Sequence, residues 1–161
     1  MKKLILVLMV LGIQVGFAQN IAYIEMDIIL EEMPEFQKAS DEIDQQAKQW
    51  DSELQTKFET VETMYQEYVK NESTMSDATK QQKQEAIFQA EKAANDFKDE
   101  KFGQEGEIMT LQEEKFKPIY DKIFASAEKV AKEKKYNFVF DKSAESSWVY
   151  TNPEMDITDD V

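Results

Sequence analysis

The stretch Phe36–Val69, FQKASDEIDQQAKQWDSELQTKFETVETMYQEYV, decides the fold. Its apolar positions are Phe36, Ala39, Ile43, Ala47, Trp50, Leu54, Phe58, Val61, Tyr65 and Val69, in steps of 3, 4, 4, 3, 4, 4, 3, 4 and 4. This is an eleven-residue repeat rather than a heptad, at about 3.67 residues per turn. It predicts a long helix whose apolar seam runs nearly straight or slightly right-handed. Such a helix covers only one face of itself and needs a partner.

The partner is legible downstream. The run stops at Asn71-Glu-Ser-Thr-Met-Ser-Asp77, a cluster of turn and capping residues. Thr74 with Asp77 resembles a capping box, and Ser76 is an alternative cap. Beyond it Ala86, Phe97, Ile108, Ile119 and Val130 recur every eleven residues, so a second helix of matching period follows. Its middle, Lys98–Glu107 (KDEKFGQEGE), is polar and holds Gly103 and Gly106. Each glycine costs about 1 kcal/mol relative to alanine in a helix interior. The stretch is either soft and bent or simply a weak length of seam. Pro34 lies 42 residues before Ser76 and Pro118 lies 42 residues after it. A turn at Ser76 therefore brings both prolines to the open end of a hairpin with arms of about 60 Å, at 1.5 Å per residue. Pro34 suits the first turn of a helix, and Pro118 is expected to mark where the hairpin meets a body. Pro34, Gly103, Gly106 and Pro118 are the candidate hinges.

Outside the hairpin the pattern changes. Ile21–Met26 (IAYIEM) reads as a strand, and Asp27–Met33 has room for one or two helical turns. Ile119–Lys135 is amphipathic, with lysines at its end that complement the helix dipole. Tyr136–Asp141 (YNFVFD) and Ser147–Thr151 (SWVYT) read as strands of a β-hairpin around a polar loop. The fold class is mainly α with a small β unit, a long antiparallel helical hairpin on a β body. Three short strands and a two-helix arm are each too small to stand alone, so an oligomer is expected.

Met1–Ala18 stands apart from this organisation. Lys2 and Lys3 precede an apolar run, Leu4–Phe17, and Gly16 and Ala18 supply the small residues of a cleavage site. The run is short for a hydrocarbon core of ~30 Å, which favours a cleaved signal peptide over an anchor. There is no cysteine to carry a lipid after the cut. The division expected is 1–18 signal peptide, 19–33 body strand and turn, 34–117 hairpin arm with its tip near 71–77, and 118–161 body helix and β-hairpin. The localisation expected is the periplasm.

Composition narrows the chemistry. The 161 residues include no cysteine, histidine or arginine, and the formal net charge is −14. Removing the leader with its two lysines leaves 33 acids against 17 lysines, or −16. Thiolate nucleophiles, imidazole bases and Cys/His zinc sites are excluded. An acidic chain without arginine is a poor binder of nucleic acid. Acid pairs such as Glu31/Glu32, Asp99/Glu100 and Asp159/Asp160 fall on surfaces where carboxylates are normally solvated, so no enzyme is expected. Asp156, Asp159 and Asp160 lack EF-hand spacing, and nothing resembles a Walker loop. No catalytic residue, metal or cofactor is expected.

The segments IAYIEMDIILEEMPEFQKA and KPIYDKIFASAEKVAKEKKYNFVFD, the latter followed by WVYTNPEMDITDDV, resemble the Skp (OmpH-like) family of periplasmic chaperones. The resemblance covers essentially all of the chain after the leader, and its two body segments are more diagnostic than Gln37–Lys115. It implies a homotrimer with a shared β body and helical arms around a cavity that holds unfolded outer-membrane proteins. Ile21, Tyr23, Ile24, Phe138, Phe140, Trp148 and Tyr150 would build the trimer body. The family tends to continue past a motif like Asp156–Val161 into a closing helix. Its best-known member has basic arms suited to acidic clients and lipopolysaccharide. Here Glu35–Lys117 carries twenty acids and eleven lysines, a net −9, which argues against an electrostatic grip on lipid or on acidic clients.

On this reading the protein is an ATP-independent holdase for outer-membrane or other exported proteins. The candidate client-binding residues lie off the seam: Met64, Tyr68, Met75, Phe88, Phe102, Met109 and Leu111. Methionine and aromatic side chains suit loose, adaptable contacts. The same residues also suit a wider hairpin interface. The alternative function is a structural or adaptor coiled coil of the envelope, which would bind one defined partner through a single hot spot, such as one around Met75.

Overall fold

Met33 is extended, with φ −89° and ψ 109°, because the proline after it disfavours the helical region. Pro34 then opens the longest helix at a position whose N–H would have no intrahelical partner. The computed structural model describes residues 20–143 and 148–161. The leader Met1–Ala18 and Ser147 therefore lie outside the described residues. The chain divides into two compact units: Leu30–Lys122, the arm, and a body of the residues up to Ile29 with Ile123–Val161. In chain order the elements are β1 (Ile21–Ile24), α1 (Met26–Glu32), α2 (Pro34–Asn71), α3 (Asp77–Phe102), α4 (Glu107–Lys134) and β2 (Phe138–Asp141).

The arm is an antiparallel hairpin. α2 runs for 38 residues and turns through a 3-10 segment, Glu72–Thr74. Of the two caps open in the sequence, Ser76 is used: its Oγ accepts from the Thr79 N–H at 3.2 Å. Ring contacts and hydrogen bonds pair the helices in steps away from the tip. Gln84 meets Tyr68 at 2.9 Å, the Lys57 ammonium lies 4.9 Å from the Phe97 ring centre, and Trp50 meets Phe102 edge-on at 6.3 Å. Further out, Phe36 stacks on Phe116 at 5.0 Å and Glu42 pairs with Lys115.

The expected seam holds at Ala39, Ile43, Ala47, Trp50, Leu54 and Val61, which face inward, but past Leu54 three of its places shift by one residue, to Lys57, Met64 and Tyr68. Phe58, Tyr65 and Val69, which the eleven-residue pattern placed in the seam, are exposed. Half-buried Lys57 takes the inward place with its ammonium over the face of the Phe97 ring. A lysine can thus hold a seam place that a count of apolar residues gives to its neighbour. On α3 the inward residues are Ile87, Ala90, Ala94 and Phe97, and Ala86 is exposed.

The polar stretch in the second helix is a complete interruption. α3 ends at Phe102 and α4 begins at Glu107. The Gly103 N–H donates to the Asp99 carbonyl at 2.9 Å, and the Gly106 N–H to the Gly103 carbonyl at 3.0 Å. The turn is too tight for side chains: a Cβ on Gly103 would strike the Asp99 carbonyl, and one on Gly106 would sit 2.8 Å from the Gly103 nitrogen. Pro118, by contrast, does not end its helix. It lies inside α4 on an exposed face, where water can satisfy the Glu114 carbonyl that proline leaves without a donor. The boundary between units falls at Lys122 instead.

In the body, β1 and β2 pair in parallel, from Ile21 opposite Phe138 to Ile24 opposite Asp141. The expected β-hairpin is not formed: Trp148, Val149 and Tyr150 belong to no strand. The other edge of β1 is taken by a bridge between Tyr23 and Asp156, with the Ile157 N–H donating to the Tyr23 carbonyl at 3.0 Å. The 3-10 turn Pro153–Met155, capped by Asn152, aims the chain there, and Ile157 is the most deeply buried large side chain among the described residues. Flanked on both edges, β1 is buried at Ala22, Tyr23 and Ile24 in unbroken succession, as parallel strands covered on both faces are. Ile123, Ala127 and Val130 of α4 supply the rest of this core. Lys142 pairs with Glu25 at 2.9 Å. α1 is capped from far along the chain, its Met26 N–H donating to Asp141 Oδ1 at 3.3 Å and its Asp27 N–H to Ser143 Oγ at 3.2 Å.

Candidate functional site

Surfaces rather than a cleft are the features to weigh. The seven off-seam residues of the arm separate into two groups. Tyr68 is buried, accepts from Gln84, and donates to Glu72 at 3.4 Å. Burial raises its hydroxyl pKa, and the Glu72 charge adds to the effect. Met64 and Leu111 are half-buried along the helices, Phe102 packs on Trp50, and Met75 is half-buried at the tip. Phe88 and Met109 are exposed. Residues that the sequence pattern assigned to the seam take the open places instead: Phe58 is 38% exposed, Tyr65 53% and Val69 52%, beside Phe88 at 57%. The signal that distinguishes the two sets is the Lys57–Phe97 contact, which no hydropathy count contains.

Of the proposed body residues, Tyr23 and Ile24 are buried within their own unit and Ile21 is half-buried. The aromatics point outward. Phe138 and Phe140 lie 6.3 Å apart and Phe140 meets Trp148 at 5.9 Å. Val149 is fully exposed and Tyr150 nearly so. A groove of about 240 Å³ opens among Ile21, Tyr23, Phe140, Trp148, Tyr150 and Met155. It is walled almost wholly by carbon.

The candidate hinges sit at different kinds of place: Pro34 at a helix start, Gly103 and Gly106 in the interruption, Pro118 within α4. Lys101 spans the interruption, with Nζ 2.8 Å from Glu100 and 2.5 Å from Glu107. It also lies 5.4 Å from the Trp50 ring centre. The hydrogen bond to Glu100 is the main reason its pKa is raised, followed by that to Glu107. Conversely the Lys101 hydrogen bond holds Glu100 below the usual carboxylate range. That is the wrong direction for a general acid at neutral pH. Among the described residues no group of three or more His, Cys, Asp or Glu is placed to hold a metal ion. No helix among them is long and apolar enough to cross a membrane.

A family model described as outer membrane protein (OmpH-like) matches residues 20–161. No curated protein matches the chain.

Proposed function

The chain belongs to the OmpH-like family, a membership consistent with a periplasmic chaperone role, and from that premise we propose that it is an ATP-independent holdase. It shields unfolded outer-membrane or other exported proteins after its own leader has been removed in the periplasm. The observation that carries the reading is the exposure of Phe58, Tyr65, Val69, Phe88 and Met109 along an otherwise polar helical arm. A single exposed apolar side chain is ordinary, but a set of large ones gathered along one arm marks an interaction surface. Spread along an arm they suit many weak contacts with a chain that has no fixed shape.

The same reading makes the protein a homotrimer. The outward aromatics of β2 and of residues 148–150 are the surface by which three bodies would associate, and arms on one assembly would enclose a client. This function calls for no cofactor, metal, nucleotide or nucleic acid, and the net negative charge of the arms disfavours a grip on lipopolysaccharide or anionic lipid.

The test is suppression of aggregation of an unfolded β-barrel protein diluted from denaturant, without nucleotide. One assembly per client is expected to keep light scattering near baseline. Absence of protection at that ratio overturns the reading. Competition between two unrelated unfolded clients for the same protein separates a holdase from an adaptor, since an adaptor binds one of them alone.

A further inference from the structure

We propose that one lateral face of the arm is a docking surface for unfolded segments that combine apolar residues with lysine or arginine; the inference rests on the holdase reading and names the client class. In the half of α2 nearer the tip, the residues one place before the seam are Glu53, Thr56, Thr60, Thr63 and Glu67. The three threonine hydroxyls donate to backbone carbonyls of their own helix, at 2.8 to 2.9 Å. That flank is polar and self-satisfied. The residues one place after those same seam positions are Gln55, Phe58, Glu62, Tyr65 and Val69, all exposed, and three of the five are large and apolar. On α3 the residues one place after Ile87, Ala90, Ala94 and Phe97 are Phe88, Glu91, Asn95 and Lys98, all exposed, so Phe88 is the apolar member of that row.

The four apolar side chains, Phe58, Tyr65, Val69 and Phe88, share a side. One residue is about 100° of helical turn, so each stands roughly a quarter-turn from the seam. Antiparallel helices wind in opposite senses when viewed from one end, and their seams face each other. A quarter-turn past the seam therefore swings to the same side of both helices. In the tip half of α2 the two flanks differ in kind, with Phe88 of α3 on the apolar side, and hairpin packing alone does not require that.

Acids outnumber lysines around the apolar set, four glutamates against Lys98 on the same flank. Glu62 lies between Phe58 and Tyr65 in the helical lattice, Glu72 lies three residues past Val69, and Glu85 and Glu91 flank Phe88. All four are exposed, and among the described residues none is ion-paired with a lysine. Glu62 and Glu85 accept only from the amides of Gln66 and Gln89, at 2.7 Å each. The one lysine a turn from Phe88, Lys92, is neutralised by Asp96. An apolar stripe within uncompensated carboxylates favours a cationic apolar segment and repels an acidic one.

Two fluorescent peptides of equal apolar content test this on the purified protein, one with lysines and one with glutamates at the intervening positions. The basic peptide is expected to bind at least about tenfold tighter at low salt, with the ratio shrinking toward unity near ~0.5 M salt as screening sets in. Joint substitution Phe58→Ser, Tyr65→Ser and Phe88→Ser is expected to weaken the basic peptide about tenfold or more. Glu62→Lys with Glu85→Lys leaves two acids against two lysines among these four positions and is expected to abolish the preference. These positions are exposed, and circular dichroism checks that the helices persist. Equal binding of the two peptides, or undiminished binding by the serine variant, overturns the inference. So does a change of particle mass in the serine variant, which would assign the face to contact between copies of this chain. The two readings fail separately. If the wild type protects a β-barrel client and the serine variant protects it equally, only the docking face is lost. If the wild type protects no client, the holdase reading is lost whatever the peptides do.

Discussion

Lys135 is the single non-glycine residue with positive φ among the described residues, at 61°. It follows the last turn of α4, where the Tyr136 N–H reaches back to the Ala131 carbonyl at 2.9 Å. That bond needs the intervening residue in the left-handed region, which glycine enters freely and lysine does not. Lys135→Gly is therefore expected to stabilise the protein by about 1 kcal/mol, read as a higher midpoint in urea. An unchanged or lower midpoint would mean that the lysine side chain contributes something its exposed position does not reveal. Lys57 and Lys101 make a related point about single residues. Both set their ammonium groups over aromatic faces of the interface. Classifying them as charged, as any hydropathy count must, hides their part in the interface.

At the scale of elements, the helical hairpin, its cap region and its two long arms were legible because periodicity over dozens of residues averages out local noise. The register of the seam was not, because it turns on whether Lys57 or Phe58 points inward. The helix break was half legible. Two glycines in a polar stretch signalled weakness, but only the collision of a Cβ at each with nearby backbone shows that a turn is required. Gly106→Ala is expected to cost about 1–3 kcal/mol by steric misfit, outweighing the ~1 kcal/mol that alanine would gain in a continuous helix. Thermal unfolding of the variant measures this, and a rise in midpoint would show that the break is not maintained by packing. The parallel pairing of β1 with β2 was illegible for a different reason. Short strand signals in sequence order suggest the nearest partner, and here the nearest partner along the chain is not the one used. Of the residues expected to build a shared body, Tyr23 and Ile24 serve their own core while Phe138, Phe140, Trp148 and Tyr150 face out, a division that strand signals alone do not carry.

For the whole molecule, the exposed body aromatics make assembly and stability one question. Phe140→Ser with Trp148→Ser is expected to reduce the sedimenting mass from that of three chains to that of one, with helical content retained. A wild-type monomer, or a variant that still sediments as a trimer, counts against association through this surface. The parallel strand pair has a consequence for how the chain comes to be folded. β1 is made early and its partner more than a hundred residues later, so closing that loop from an open coil would carry a heavy entropic penalty. The arm shortens the problem. Its contacts start at the Tyr68–Gln84 pair, 16 residues apart, and extend outward to Glu35–Lys122, 87 apart, so it can close progressively from the tip like a zipper. Once it has closed, only short tails separate β1 from β2. Tip-first closure is expected to make the arm a folding aid to the rest of its own chain: in stopped-flow refolding, slowing the zipper at its tip should delay the sheet, whereas damaging the sheet should leave the zipper's rate unchanged.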